Sequence, residues 1–366
     1  MTAEKIRLGI IGANIHRGWA PRSHLAAVAA SAGIELTAVC TTRQQSAEES
    51  ARKFGARLAF HDYRELLAHP EIDAVAVVLR VPSHYEPTMA ALEAGKHVYT
   101  EWPLGQTTAQ AKKMADQARA RGVRTMVGLQ ARMSPAILYL RDLIAEGYAG
   151  EVVSCHVSLA REGALERASD RSWQHDNSLG AHTLTIAAGH TLDALRFVMG
   201  EFSQVSAIVS TQVKQWLETD TRQMVDVTAP DNVLINARMA NGAVASIYVV
   251  SIPYAGSGYR MEIYGTKGTL VATSVDSPQL KEVFLKGAQA GNPLQDLQVP
   301  ARFAYVPEGM PRGEPYNVGQ MYCRFGDAIR SGRGCEPNFD TAVELHQLLD
   351  RIRASSRAAT RRARAK

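Results

Sequence analysis

The chain has 366 residues, 46% of them hydrophobic, and a formal net charge of +5. No apolar run is long enough to span a bilayer, and Met1-Thr2-Ala3-Glu4-Lys5 leads straight into a strand pattern with no leader, so no membrane partner and a cytoplasmic location are expected. Cys40, Cys155, Cys323 and Cys335 show no C-x-x-C spacing and read as free thiols rather than a disulfide framework.

The positive charge sits at one end. Residues 351–366 hold seven basic side chains and no acid, which leaves the remainder slightly acidic. This segment reads as a helix end that frays into a basic tail. The alternative is an arm for nucleic acid or an anionic surface; the arginines have no aromatic residues between them, which argues against single-strand stacking, and no nucleic-acid partner is expected. The length suits two domains.

The first strand is Ile6–Ile11, and it stops at Gly12. A nucleotide-binding βα turn begins this way: backbone at the glycine comes close to a pyrophosphate, and N–H groups of the next helix bind it. The glycine fingerprint is degenerate. Asn14 and Arg17 stand where G-x-G-x-x-G has glycine, and Gly18 comes one residue late. Asn14 tolerates positive φ better than most residues, so it is expected to replace a turn glycine. Gly12, Asn14, Ile15 and Trp19 are the candidate coenzyme contacts of this turn.

The second strand, Glu35–Cys40, ends in Thr41, Thr42 and Arg43. An acid here would hold the ribose 2′-hydroxyl of NAD, whereas an arginine suits the 2′-phosphate of NADP. The sequence therefore favours NADP, with NAD second. The alternative is that Arg43 only opens the solvated helix at Ser46–Phe54. Ala74–Leu79 is a continuous apolar run, as in a strand buried on both faces. Val81, Pro82, Ser83 and His84 follow it at the carboxyl edge, near the expected nicotinamide; Val81, Pro82 and His84 are candidate coenzyme contacts there, and the alternative for His84 is a structural residue opening the helix to Ala94. His97–Thr100 is a strand that runs into Glu101 and Trp102. A helix at Thr108–Ala120 and a strand at Arg124–Val127 complete a βαβ rhythm, which predicts a doubly wound parallel sheet over residues 1–128.

The rhythm then changes. A helix at Pro135–Glu146 precedes long alternating runs at Val152–Val157 and Val205–Gln212. Asn232–Ala237 and Ala243–Ser251 flank the hairpin signal Asn241-Gly242, and Met261–Tyr264 and Gly268–Val271 flank Thr266-Lys267. Helices at Asn317–Arg330 and Phe339–Ala354 close the chain. Residues 129–350 read as an α/β domain with an open, mostly antiparallel sheet. Residues 351–366 are the tail.

Several motifs in this order resemble the Gfo/Idh/MocA oxidoreductases. They are the V-P-S-H loop, Glu101-Trp102-Pro103, Gly128-Leu129-Gln130-Ala131-Arg132, Gly150-Glu151-Val152, Gly189-His190-Thr191-Leu192-Asp193, Asn241-Gly242-Ala243 and Gly265-Thr266-Lys267-Gly268. Within the family, Glu101–Leu104, Gly128–Pro135, Gly189–Asp193 and a Gly12–His24 turn carrying Trp19 and His24 look most like the branch of the fungal galactose-pathway repressor. The resemblance implies a Rossmann domain, an α/β domain whose open sheet forms the oligomer contact, and a nicotinamide coenzyme. It places Glu101, Trp102, Gln130 and Arg132 near that coenzyme. Family members carry E-K-P, whose lysine positions or protonates the reacting oxygen; here that position is Trp102. They carry an Asp four residues before the motif histidine; here it is Ile186.

Tryptophan has only a donor N–H and cannot act as a base. His190 is the candidate general acid/base, with His182 and His175 behind it. Asp193 lies three residues along the same helix face and is expected to orient the imidazole or hold a substrate hydroxyl. Tyr254, Tyr259 and Arg161 lie in second-domain loops and are candidate pocket residues. No H-x-x-x-H pair or carboxylate cluster has metal-ligand spacing, so no metal is expected. The resulting expectation is an NAD(P)-dependent dehydrogenase or reductase, homo-oligomeric, acting on a sugar, cyclitol or related small polyol or carbonyl compound. The alternatives are a catalytically reduced nucleotide-sensing regulator like that repressor, and transient redox chemistry used for elimination or glycoside cleavage.

Overall fold

A computed structural model describes residues 4–364. The chain forms two compact units: Met1–Gln130 with Ala304–Glu344, and Ala131–Phe303 with Leu345–Lys366. The expected consecutive segments are corrected by this arrangement, because the stretch after Phe303 returns to the first unit instead of completing the second.

The first unit opens with β1 (Ile6–Ile11), α1 (His24–Ala29), β2 (Ile34–Cys40), α2 (Gln44–Phe54), β3 (Leu58–Phe60) and α3 (Tyr63–Ala68). It continues with β4 (Ala74–Val77), α4 (Tyr85–Glu93), β5 (His97–Glu101), α5 (Thr108–Arg121) and β6 (Thr125–Gly128). The strands pair in parallel in the order β3-β2-β1-β4-β5-β6. All four residues of β4 are buried, as its unbroken apolar run requires. Asp62 and Thr107 cap α3 and α5 by accepting the main-chain N–H of Arg64 and Gln110. Strand order reverses between β1 and β4, and ligands of such sheets bind beyond the carboxyl ends at that reversal.

The second unit contains α6 (Pro135–Ala145), β7 (Val152–Glu162), β8 (Glu166–Arg167), α7 (Ser169–Ser172), α8 (Ala187–Met199), β9 (Phe202–Ser210), β10 (Gln215–Glu218) and β11 (Met224–Asp226). β12 (Asn232–Met239), β13 (Val244–Ile252), β14 (Gly258–Gly265), β15 (Gly268–Ser274), β16 (Phe284–Gln289) and β17 (Gln295–Leu297) follow. Eight strands form a sheet in the order β17-β16-β15-β14-β7-β13-β12-β9, antiparallel except for the β7–β13 pair. A small sheet, β11-β10-β8, stands apart from it. One face of the large sheet is buried; on the other, the paired residues Ile208, Leu234 and Tyr248 are exposed in a row across β9, β12 and β13.

α9 (Glu314–Ser331) belongs to the first unit, where Tyr322 and Phe325 are fully buried against Tyr99. α10 (Phe339–Arg364) closes the chain. The frayed tail is corrected: residues 351–364 are helix. Arg351 donates to the carbonyls of Phe202 and Ser203, and the hydroxyls of Ser355 and Ser356 accept the N–H groups of Ala207 and Val209. The segment thus covers the edge strand β9 and is held by it. Ala365 and Lys366 lie outside the described residues.

Candidate active site

The turn after β1 is built on Gly12, whose φ is +95°. A Cβ there would come within 2.2 Å of the Val78 carbonyl oxygen, beyond the end of β4, so only glycine fits at the strand-order reversal. The rest of the turn departs from expectation. α1 begins only at His24 and has six residues, so an irregular loop, not a helix N-terminus, follows the glycine. Asn14 does not take positive φ. Its Oδ1 instead accepts the main-chain N–H of His16 at 2.9 Å, an Asx turn that needs no left-handed residue. Ile15 and Trp19 are half-buried in this loop.

At the end of β2, Thr41 is buried and its hydroxyl bonds Ser46 and the Arg43 carbonyl, which turns the chain into α2. Thr42 and Arg43 are exposed. Val81, Pro82 and Ser83 form a single 3-10 turn after β4. His84 is a correction: its Nδ1 lies 2.8 Å from the Pro103 carbonyl and its Nε2 3.0 Å from that of Leu79. Each nitrogen lies against a main-chain carbonyl, and burial lowers the pKa, so the neutral ring donates its one N–H to one of the two. The imidazole therefore ties the β4 and β5 loops together and presents no nitrogen to a ligand. Trp102 is buried.

The polar centre of this edge is Glu101. It accepts from Gln130 Nε2 at 2.9 and 3.0 Å and lies 2.9 Å from His24 Nε2. His24 Nδ1 lies 2.7 Å from the Tyr322 hydroxyl. Burial, reinforced by the nearby Glu101 charge, raises the Tyr322 pKa well above that of a free phenol. A consistent chain runs Tyr322 O–H to His24 Nδ1 and His24 Nε2–H to the carboxylate, with the tautomer assigned from these partners. Sequence reasoning did not place Tyr322 here: the two residues come from distant parts of the chain.

In the second unit, Arg132 and Asp193 are 4% and 0% exposed and form a two-pronged ion pair, with Nε donating to Oδ2 at 2.8 Å and Nη2 to Oδ1. Both Asp193 oxygens accept from Arg132, so the residue expected to orient His190 or hold a substrate hydroxyl and the expected coenzyme contact are paired with each other. Buried charges of opposite sign neutralise each other because neither is stable alone. His190 is buried one turn into α8.

A separate pocket of about 470 Å³ is lined by residues that include Arg161, Arg167, Arg171, Gln174, His182 and Trp216. Arg161 lies in it as expected, salt-bridged to Asp276 at 2.6 Å. Tyr259 does not line it and is 1% exposed in the sheet core; Tyr254 is 77% exposed. His175 lends its carbonyl to the N–H groups of Thr228 and Ala229. His182 is buried, and desolvation together with the Arg353 charge pushes its pKa down to about 3, so its ring is neutral at physiological pH. Among the described residues no group of three or more metal-ligating side chains occurs, and no helix is long and apolar enough to cross a membrane.

Residues 6–129 match the model of the oxidoreductase family with an NAD-binding Rossmann fold, and residues 137–271 match the GFO/IDH/MocA C-terminal domain. The chain is 34% identical over 214 residues to dehydrogenase aclE of Aspergillus oryzae, covering 57% of this chain and 58% of that one. It is 29% identical over 295 residues to the galactose/lactose metabolism regulatory protein of Saccharomyces cerevisiae, covering 73% and 66%. The chain thus spans about two thirds or less of the length of these two relatives. A solved levoglucosan dehydrogenase in complex with NADH and L-sorbose superposes with a TM-score of 0.85 at 25% identity, over 97% of both chains. The two family matches together take in more than half of the chain, and the chain belongs to the Gfo/Idh/MocA family of oxidoreductases.

Proposed function

We propose that this protein is an NAD(P)-dependent dehydrogenase or reductase acting on a sugar, cyclitol or related small polyol or carbonyl compound. The observation that carries the reading is the Gly12 turn: a backbone cradle at the strand-order reversal from which any side chain is excluded by the Val78 carbonyl. Similarity to a dehydrogenase solved with NADH and L-sorbose supports the same reading. Bound nicotinamide supplies the hydride acceptor or donor. Gly12, Asn14, Ile15 and Trp19 hold the diphosphate side, Val81, Pro82 and Glu101 the nicotinamide side, and exposed Thr42 and Arg43 the adenosine ribose. Arg43, with no acid beside it, favours the 2′-phosphate, so NADP is the preferred coenzyme.

The reaction also moves a hydroxyl proton, and the carrier needs a pKa near the working pH. Trp102 cannot serve, Asp193 is committed to Arg132, and a ring with the His182 pKa of about 3 holds no proton to give at neutral pH. His190 takes this role. The exposed row Ile208–Leu234–Tyr248 pairs with a second copy of the chain, making the protein a homo-oligomer.

The test is reduced-coenzyme absorbance with purified protein, NAD or NADP, and a panel of sugars and cyclitols. Turnover on a panel member is expected, and His190→Ala is expected to abolish it while coenzyme binding survives. Unchanged turnover in that variant removes His190 from the role. Tight coenzyme binding with no turnover on any member favours the second reading, a nucleotide-sensing regulator, for which the buried Trp102 at the position of the family lysine is the specific observation.

A further inference from the structure

We infer that the pocket of the second unit contains an anion subsite built on Arg167, so that the substrate it admits carries a carboxylate or phosphate group beside its hydroxyls. The inference rests on the oxidoreductase reading for the word substrate, but not for the subsite.

Arg167 ends β8, which runs parallel to β10, and its guanidinium lies 4.2 Å from the centroid of the Trp216 ring. Nη1 donates to Gln174 Oε1 at 2.5 Å. Nε is buried and has no hydrogen-bond partner among the described residues. No carboxylate among them pairs with this guanidinium. Its charged neighbours are Arg161 and Arg171, and burial, assisted by both, pulls its pKa down to about 10.

The acids of the pocket wall do not answer that charge. Asp231 accepts the N–H groups of Gln212 and Val213 and the amide of Asn232, while Glu162 and Glu166 are exposed to water. Asp276 is bonded to Arg161 through both oxygens. A desolvated cation with an orphaned donor is costly unless an acceptor arrives. A guanidinium held over an indole carries its donors in one plane, the arrangement that two oxygens of one carboxylate or phosphate satisfy. The same pocket carries hydroxyl-matching groups: Thr183 Oγ1 and Ser251 Oγ lie 2.9 Å apart, and neutral His182 has a buried Nδ1 with no hydrogen-bond partner among the described residues. At about 470 Å³ the pocket suits a ligand of monosaccharide size bearing one such group.

The experiment is calorimetric titration of the full chain with D-glucose, D-gluconate, D-galacturonate and D-glucose 6-phosphate, each with and without coenzyme. At least one anion is expected to bind roughly tenfold more tightly than D-glucose, because a charge-assisted hydrogen bond to a desolvated group is worth at least that ratio. The preferred arm separates carboxylate from phosphate. Arg167→Gln is expected to bring the ratio close to one, and Arg167→Lys, which keeps charge but loses the fork, to leave an intermediate value; circular dichroism checks that both fold. Anions binding no better than D-glucose to the wild-type chain overturn the inference, as does a preference that survives Arg167→Gln. Anion binding without coenzyme-dependent turnover keeps the subsite and removes the oxidoreductase reading. Turnover of neutral sugars with no anion preference does the reverse.

Discussion

Arg132 and Arg167 belong to the same unit and illustrate two opposite uses of a guanidinium. Arg132 is sealed against Asp193 with both prongs occupied. Arg167 is stacked on Trp216 beside two other arginines, with an orphaned Nε in the wall of a pocket. The first arrangement is complete without a ligand and contributes to the fold. The second is incomplete: Gln174 and Trp216 answer part of the charge, and the buried Nε is left without an acceptor. Arg43, exposed at the end of β2, is a third case, a cation whose water shell leaves it available at little cost.

Removing the partner of the sealed cation should have the largest effect. Asp193→Ala leaves Arg132 buried without its counter-charge and is expected to cost about 3–5 kcal/mol in urea unfolding. A loss below ~1 kcal/mol would show that the pair is not structural.

The pocket side of the comparison is sharpened by pH. His182 and His346 are pushed down to about 3 and about 4 by burial, with the charge of Arg353 adding to it. Both values lie below the unfolded value of ~6.5, so the unfolded chain binds more protons in this window. The stabilisation from the neutral rings is full above about pH 6.5 and is lost as pH falls, at roughly 1.4 kcal/mol per pH unit for each ring. His182→Gln should remove one such slope between about pH 6.5 and pH 5, or some 2 kcal/mol over that span. A pH profile of unfolding identical to that of the wild type would contradict the assignment.

The exposed cation gives a smaller and more selective effect. Arg43→Ala is expected to weaken NADP roughly tenfold in calorimetry and to leave NAD nearly unchanged. Equal losses for both coenzymes would break the proposed preference. The smallest effect belongs to Arg167 itself. Without ligand, Arg167→Gln should change unfolding free energy by less than about 1 kcal/mol, because no ion pair is broken. A loss like that of Asp193→Ala would mean the two arginines are alike after all.

Much of the fold was legible because its signals are local. The apolar run Ala74–Leu79, the glycine after Ile11 and the Asn241-Gly242 hairpin each announce their element within a few residues. The expected strands at Val152, Val205, Asn232 and Ala243 all pair in one sheet. What was not legible depends on partners far along the chain. His84 looked like a ligand contact because its loop lies at the right edge, yet two carbonyls, one of them Pro103 across the next strand, claim its ring. Asp193 shares a helix face with His190, but Arg132, from the segment before α6, takes it. The basic end looked unsupported because the β9 N–H groups that hold it are remote in sequence. Arg167 carries no sequence signal, since Glu166-Arg167 resembles any exposed strand end until Trp216 is brought beneath it.

The exposed ridge of Ile208, Leu234 and Tyr248 makes dilution an experimental variable. If that ridge is shared between copies, mass action ties the melting midpoint to protein concentration. Melts recorded at nanomolar and micromolar chain should then separate, whereas an isolated protomer would give one midpoint throughout. Every stability difference between variants therefore needs to be compared at matched concentration.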